Sequence, residues 1–125
     1  MNGPSSEAVP RPTKASEFGI EFGTRQAEKG WMDLIATARN AAVDAWDFLT
    51  RTPTASGDHC HRLRGDLGVA AAGGVDRERW QYKVTGGGRI WYSVIPSAKR
   101  SRSAGTVVLE RVATGHPNET VKRHR

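Results

Sequence analysis

The sequence predicts an α+β domain with a mainly antiparallel sheet, on three observations. A period-2 apolar run lies near the N-terminus, a long stripe with apolar spacings of three and four follows it, and three β-rich runs occupy the second half. The order is therefore β, helical region, β, β, β, with no internal repeat. At 125 residues, 37% of them hydrophobic, the chain is the size of one small domain and closes a single modest core.

Residues 1 to about 16 contain Pro4, Pro10 and Pro12 among Ser, Gly and Thr, with few apolar side chains to repay the entropy of ordering. They are expected to form a disordered extension, with the domain spanning 17–125. In EFGIEF, Phe18, Ile20 and Phe22 alternate onto one face, as in a half-buried strand. Thr24 is an N-cap candidate, and Trp31, Leu34, Ile35, Ala38, Ala42, Ala45, Trp46 and Leu49 form an amphipathic stripe ending before Pro53. Periodicity leaves open one long helix or two with a bend near Arg39 and Asn40; the aromatic members are assigned to packing.

Residues 53–76 mix turn formers with the short segment HRLRGDL and are expected to be a connecting region. Then RERWQYKV alternates Trp80, Tyr82 and Val84 with Gln81 and Lys83, and RIWYSVI follows after Thr-Gly-Gly-Gly. Two β-rich runs around a glycine turn predict a hairpin. A third run, TVVLERV at 106–112, follows the basic loop PSAKRSRSAG, and the chain finishes in ATGHPNETVKRHR.

Glycines beside an arginine could cradle a phosphate, but such a loop joins a strand to a helix, whose terminal amides meet the anion. Gly86 to Gly88 lie between two strands, so they are expected to supply positive φ for the turn, with Arg89 placing its fork on the sheet.

The net charge is +6, and its distribution matters more than its sum. Residues 1–74 carry 8 Lys and Arg against 9 Asp and Glu, whereas residues 75–125 carry 11 against 4. That asymmetry suggests a polyanionic partner. The absence of an apolar block long enough for a membrane span or a secretory signal predicts a cytoplasmic protein with no membrane role. The single cysteine, Cys60, is expected to be an inert, half-buried thiol. Three adjacent residues, His59, Cys60 and His61, cannot close a tetrahedral zinc site, and no metal or other cofactor is expected.

Taken together, the N-terminal strand, the helical segment ending in TP, HRLRGDLG, WQYKVTGGGRIWYSV and a last strand closing in GHP resemble the RelE/ParE superfamily of bacterial toxin-antitoxin toxins over about residues 18–120. The resemblance implies a helical hairpin packed on a twisted, mainly antiparallel sheet, and a cognate antitoxin as partner. A RelE-like member would be a ribosome-dependent endoribonuclease acting on translated mRNA, in contact with ribosomal RNA. A ParE-like member would inhibit DNA gyrase, and a member without activity would serve as an RNA-binding or antitoxin-docking module.

Metal-independent RNA cleavage needs a base for the 2′-hydroxyl proton, an acid for the leaving 5′-oxygen and cations on the phosphate. By the resemblance, Arg89 matches the strand arginine that contacts the scissile phosphate, and Tyr92 the strand tyrosine. His116 falls where related nucleases place a C-terminal histidine or tyrosine, and an imidazole, with an unperturbed pKa of about 6.5, suits proton transfer. His61 falls near a position where some members carry a catalytic carboxylate, a departure from that pattern. Arg79 and Lys83, alternating with Trp80, Tyr82 and Val84, point to the opposite sheet face and are candidates to line an RNA surface, joined by Lys99, Arg100, Arg102, Lys122 and Arg123.

Overall fold

The long apolar stripe folds into two helices rather than one. In the computed structural model, which describes residues 9–64, 69–72, 75–97 and 103–115, strand β1 (Phe18–Phe22) leads to α1 (Arg25–Thr37) and α2 (Arg39–Arg51). Ala38 alone joins the helices, with φ −150° and ψ 61°; its N–H closes α1 on Leu34 and its carbonyl accepts from Ala42 to open α2. Just before the break, the Thr37 hydroxyl donates back to the Asp33 carbonyl, a competing bond that bends helices. A continuous helix would hold Trp31 and Trp46 about 22 Å apart along its axis. Their ring centroids are 6.4 Å apart, so the helices fold back into a hairpin.

The remaining elements are β2 (Cys60–Arg62), β3 (Val69–Ala72), β4 (Val75–Lys83), β5 (Arg89–Pro96) and β6 (Gly105–Ala113). They form one mixed sheet in the order β1-β6-β5-β4-β2, with β3 also on β4. β1 runs parallel to β6, and every other pairing is antiparallel. The stretch 53–76, expected as a connection, contributes β2, β3 and the start of β4. Short, alanine-rich β3 has little strand propensity of its own, and its ladder with β4 overrides that.

One sheet face carries the core. Leu34, Ala42, Ala45 and Leu49 from the helices meet Trp80, Ile90, Tyr92, Val107, Leu109 and Val112, all buried. Phe18 and Ile20 pack against this cluster as the alternation predicts, but Phe22, at the end of the edge strand, is 46% exposed. Trp31 packs at the margin of the core, while Trp46 is 39% exposed.

The edge of β6 sets how the helices dock. β1 covers β6 only from Gly105 to Leu109, which leaves the backbone beyond without a strand on that side. The start of α1 replaces it. Gly23 donates to the Leu109 carbonyl, Thr24 donates to the Glu110 carbonyl at 2.9 Å, and the Gln26 amide both donates to the Val112 carbonyl (2.8 Å) and accepts from its N–H (3.0 Å). Thr24 also caps α1 by accepting from the Ala27 N–H. Gly30 completes the contact, because a Cβ there would collide with the Val112 carbonyl.

Residues 9–16 adopt no regular structure, yet they are tied to the sheet. Arg11 pairs with buried Glu17 at 2.9 Å, the Lys14 N–H donates to the same carboxylate, and the Ala104 N–H donates to the Glu17 carbonyl. The Arg11 hydrogen bond first, then that of Lys14, hold the Glu17 carboxyl at about 2, below an ordinary 4.5.

Gln26→Ala should cost about 1–3 kcal/mol, the penalty for leaving backbone groups unpaired, and Gly30→Ala a similar amount through overpacking; urea unfolding measures both. A lowered carboxyl pKa in the folded state contributes stability above the unfolded pKa that is lost as pH falls through the folded one. Thermal melts of the native chain should therefore lose ground to Glu17→Gln between pH 4.5 and about 2, and show the full difference between them above that window.

Candidate nucleic-acid interface

Alternation along the strands divides the sheet into two chemically distinct faces. Trp80 and Tyr82 on β4 and Val84 just past its end, with Ile90, Tyr92 and Val94 on β5, turn toward the helices. Arg77, Arg79, Gln81 and Lys83 on β4, and Arg89, Trp91 and Ser93 on β5, therefore occupy the opposite face. Across the strands, Lys83 stands opposite Arg89, and Arg79 opposite Ser93. One row runs from edge to centre: His61 opposite Gln81, Gln81 opposite Trp91, and Trp91 opposite Arg111.

Arg111 joins this face because of a bulge. Trp91 pairs with Arg111 and Tyr92 with Leu109, which leaves Glu110 as an extra residue in β6. Strict alternation from Val107 and Leu109 would put the Arg111 side chain in the core. The inserted residue turns it outward and returns Val112, fully buried, to the helix side. Glu110 itself accepts from Arg79 Nε at 2.6 Å, and the Arg79 guanidinium lies 5.8 Å from the centroid of the Trp91 ring. The indole is also held at its Nε1, which donates to Gln81 at 2.7 Å.

On strands β4 to β6, this face thus carries Arg77, Arg79, Lys83, Arg89 and Arg111 against the single carboxylate of Glu110, which Arg79 already engages. Among the described residues, neither Lys83 nor Arg111 has a carboxylate partner. A face of that charge balance attracts polyanions. Ser93, between Arg79 and Val108, is fully buried and its hydroxyl has no partner.

The glycine turn departs from expectation. None of Gly86, Gly87 and Gly88 has positive φ. Close approach requires a glycine at Gly88, whereas a Cβ on Gly86 would meet open space. A Cβ on Gly88 would lie 2.6 Å from the Thr85 hydroxyl, and Gly87 abuts Gly115, which itself has φ +74°. The Arg89 fork is turned back onto the turn rather than laid along the sheet: Nη1 donates to the carbonyls of Thr85 (3.2 Å), Gly86 (3.2 Å) and Gly88 (2.8 Å). This turn converges carbonyl oxygens on a cation. A phosphate cradle converges amides on an anion.

Tyr92 is placed away from any surface chemistry. It lies on the helix side of the sheet and is fully buried, where its hydroxyl donates to the Pro53 carbonyl at 2.6 Å and sits 3.2 Å from Cys60 Sγ. Burial, then the contact with Cys60, pushes its pKa far above the usual phenol range, so it has neither access nor a labile proton to offer. Cys60 is wholly rather than half buried, and burial raises its thiol pKa as well. His61, one position on, is exposed and faces the other way, so neighbouring histidine and thiol diverge.

His116, Lys99, Arg100, Arg102, Lys122 and Arg123 lie outside the described residues. Ser97 and Ser103, which bracket the basic loop, sit at the Pro96 end of β5, whereas Gly115 sits at the Arg89 end. Over eight residues of strand those ends are about 25 Å apart. Sequence reasoning missed Arg77, Gln81, Trp91 and Arg111. Arg77, Gln81 and Trp91 follow from carrying the β4 and β5 alternation through, and Arg111 required noticing that alternation would bury a charge.

Tyr92→Phe should lower stability by about 1–2 kcal/mol in urea unfolding, through loss of the buried hydrogen bond to Pro53, and leave any activity per folded molecule unchanged. Comparison of the chain with protein-family models, with curated proteins and with solved structures found no match.

Proposed function

We propose that the protein acts on RNA through the sheet face opposite its helices, as a RelE-like toxin that cleaves translated mRNA on the ribosome. The observation that carries this reading is the alignment of Arg77, Arg79, Lys83, Arg89 and Arg111 on one face, where the strand carboxylates are Glu110, already paired with Arg79, and Glu21 on the β1 edge. The helical hairpin on a mainly antiparallel sheet is compatible with the resemblance. In this reading the protein works in the cytoplasm, is restrained by a cognate antitoxin and meets ribosomal RNA through its basic loop and tail.

Arg89 has the role of phosphate stabiliser. Its Nη1 is committed to the turn carbonyls, which fix the guanidinium at the rim of the face and leave its other nitrogens to meet a phosphate. His61 is the described imidazole on that face, in the row of Gln81, Trp91 and Arg111, and is the candidate for one proton transfer. His116 is the candidate for the other. Gly115, immediately before it, rests on the turn that holds Arg89.

Lys83→Gln and Arg111→Gln should each weaken RNA binding across all sequences and reduce the slope of log affinity against log salt by about 1. In a translation extract, primer extension on a reporter mRNA should show ribosome-dependent cuts that fall by about 10²-fold or more in Arg89→Ala and His116→Ala. Binding without cuts in any condition would rule out the nuclease. Blocked supercoiling with intact translation would instead assign the face to DNA gyrase.

A further inference from the structure

The basic face carries one large aromatic residue that the core does not require. Trp91 lies on the side of the sheet away from the helices, between Ile90 and Tyr92, which fill the core. It is half-buried, and its neighbours across the strands are Gln81 and Arg111, with His61 completing the row. An indole placed only for packing would lie on the other face.

The ring is also held in position before any ligand arrives. Its Nε1 edge donates to Gln81 at 2.7 Å, and the Arg79 guanidinium lies 5.8 Å from its centroid. Arg79 is anchored by Glu110, and the Glu110 carbonyl by Thr24 at the start of α1. A ring whose orientation is fixed through its edge and one cationic contact loses little freedom on accepting a planar partner. Arg111 supplies a cation directly beside it, on the neighbouring strand.

Aromatic side chains interleaved with cations on a sheet are the arrangement that binds unpaired nucleotides: the cations meet the backbone while the ring stacks on a base. We infer that Trp91 is a base-stacking platform that makes the face selective for single-stranded RNA, with Arg111 meeting the adjoining phosphate. This rests on the RNA-directed reading of the face and specifies its substrate class. Duplex RNA would be a poorer ligand, because its bases are already stacked and paired.

The test uses the full chain and fluorescence anisotropy with three labelled probes: an eight-nucleotide single-stranded oligoadenylate, the same oligomer with abasic riboses throughout, and a short RNA duplex. Trp91→Leu should weaken binding to the oligoadenylate by ~10-fold or more and leave the abasic oligomer unaffected, with an unchanged salt slope. Trp91→Phe, which keeps an aromatic face, should recover most of the lost affinity and guards against a folding defect in the leucine variant. Equal losses on normal and abasic oligomers would reduce Trp91 to a structural residue and overturn the inference. So would undiminished binding by Trp91→Leu, with the RNA-directed face left standing. Failure of the native chain to bind any of the three probes at low salt would overturn both.

Discussion

The extra residue in β6, Glu110, is the constraint on which the rest of the structure depends. Its carbonyl receives Thr24 at the start of α1, which fixes where the helical hairpin lands on the sheet. The carboxylate receives Arg79, which fixes the cation over Trp91. By reversing the alternation, it also turns Arg111 outward and returns Val112 to the core, where the Gln26 amide and Gly30 can reach its backbone. One inserted residue thus joins helix docking to the composition of the opposite face.

This explains why the core and the candidate site differ in how far the sequence reveals them. The helical stripe, the Thr24 cap and the strands around Trp80, Tyr82 and Ile90 are local patterns, since each depends on spacings within a few residues. The break at Ala38 is less legible: no glycine or proline marks it, the Thr37 back-bond is its one local contributor, and the hairpin is settled by both helices covering one sheet. Likewise β2 and β3 exist because β4 offers them an edge, a fact absent from their own composition. Arg79 and Lys83 were legible from simple alternation, whereas Arg111 was hidden by the bulge. Its charge at a nominal core position was the one available warning.

Tyr92 and Arg89 show the limit of motif reading from the other side. They stand three positions apart in sequence, and an odd spacing in a strand sends them to opposite faces. Tyr92 locks β2 and the end of the helical hairpin to β5 through Pro53 and Cys60. Arg89 gathers the carbonyls of a turn that carries no positive-φ glycine. Gly87 there abuts Gly115, so the final described segment is brought against the same rim.

The bulge also bears on which changes of chain length the strand can absorb. Losing a residue from a strand ordinarily transfers every later side chain to the wrong face. At position 110 the reverse holds: without that residue Leu109, Arg111 and Val112 would alternate regularly opposite Tyr92, Trp91 and Ile90, in the pairings they already make. The ladder would close without a gap, and what would vanish is the carboxylate beneath Arg79 and the carbonyl that receives Thr24. A lineage could therefore gain or shed this residue in one step with the strand's phase intact, and the change would loosen the helix anchor and the outer face together.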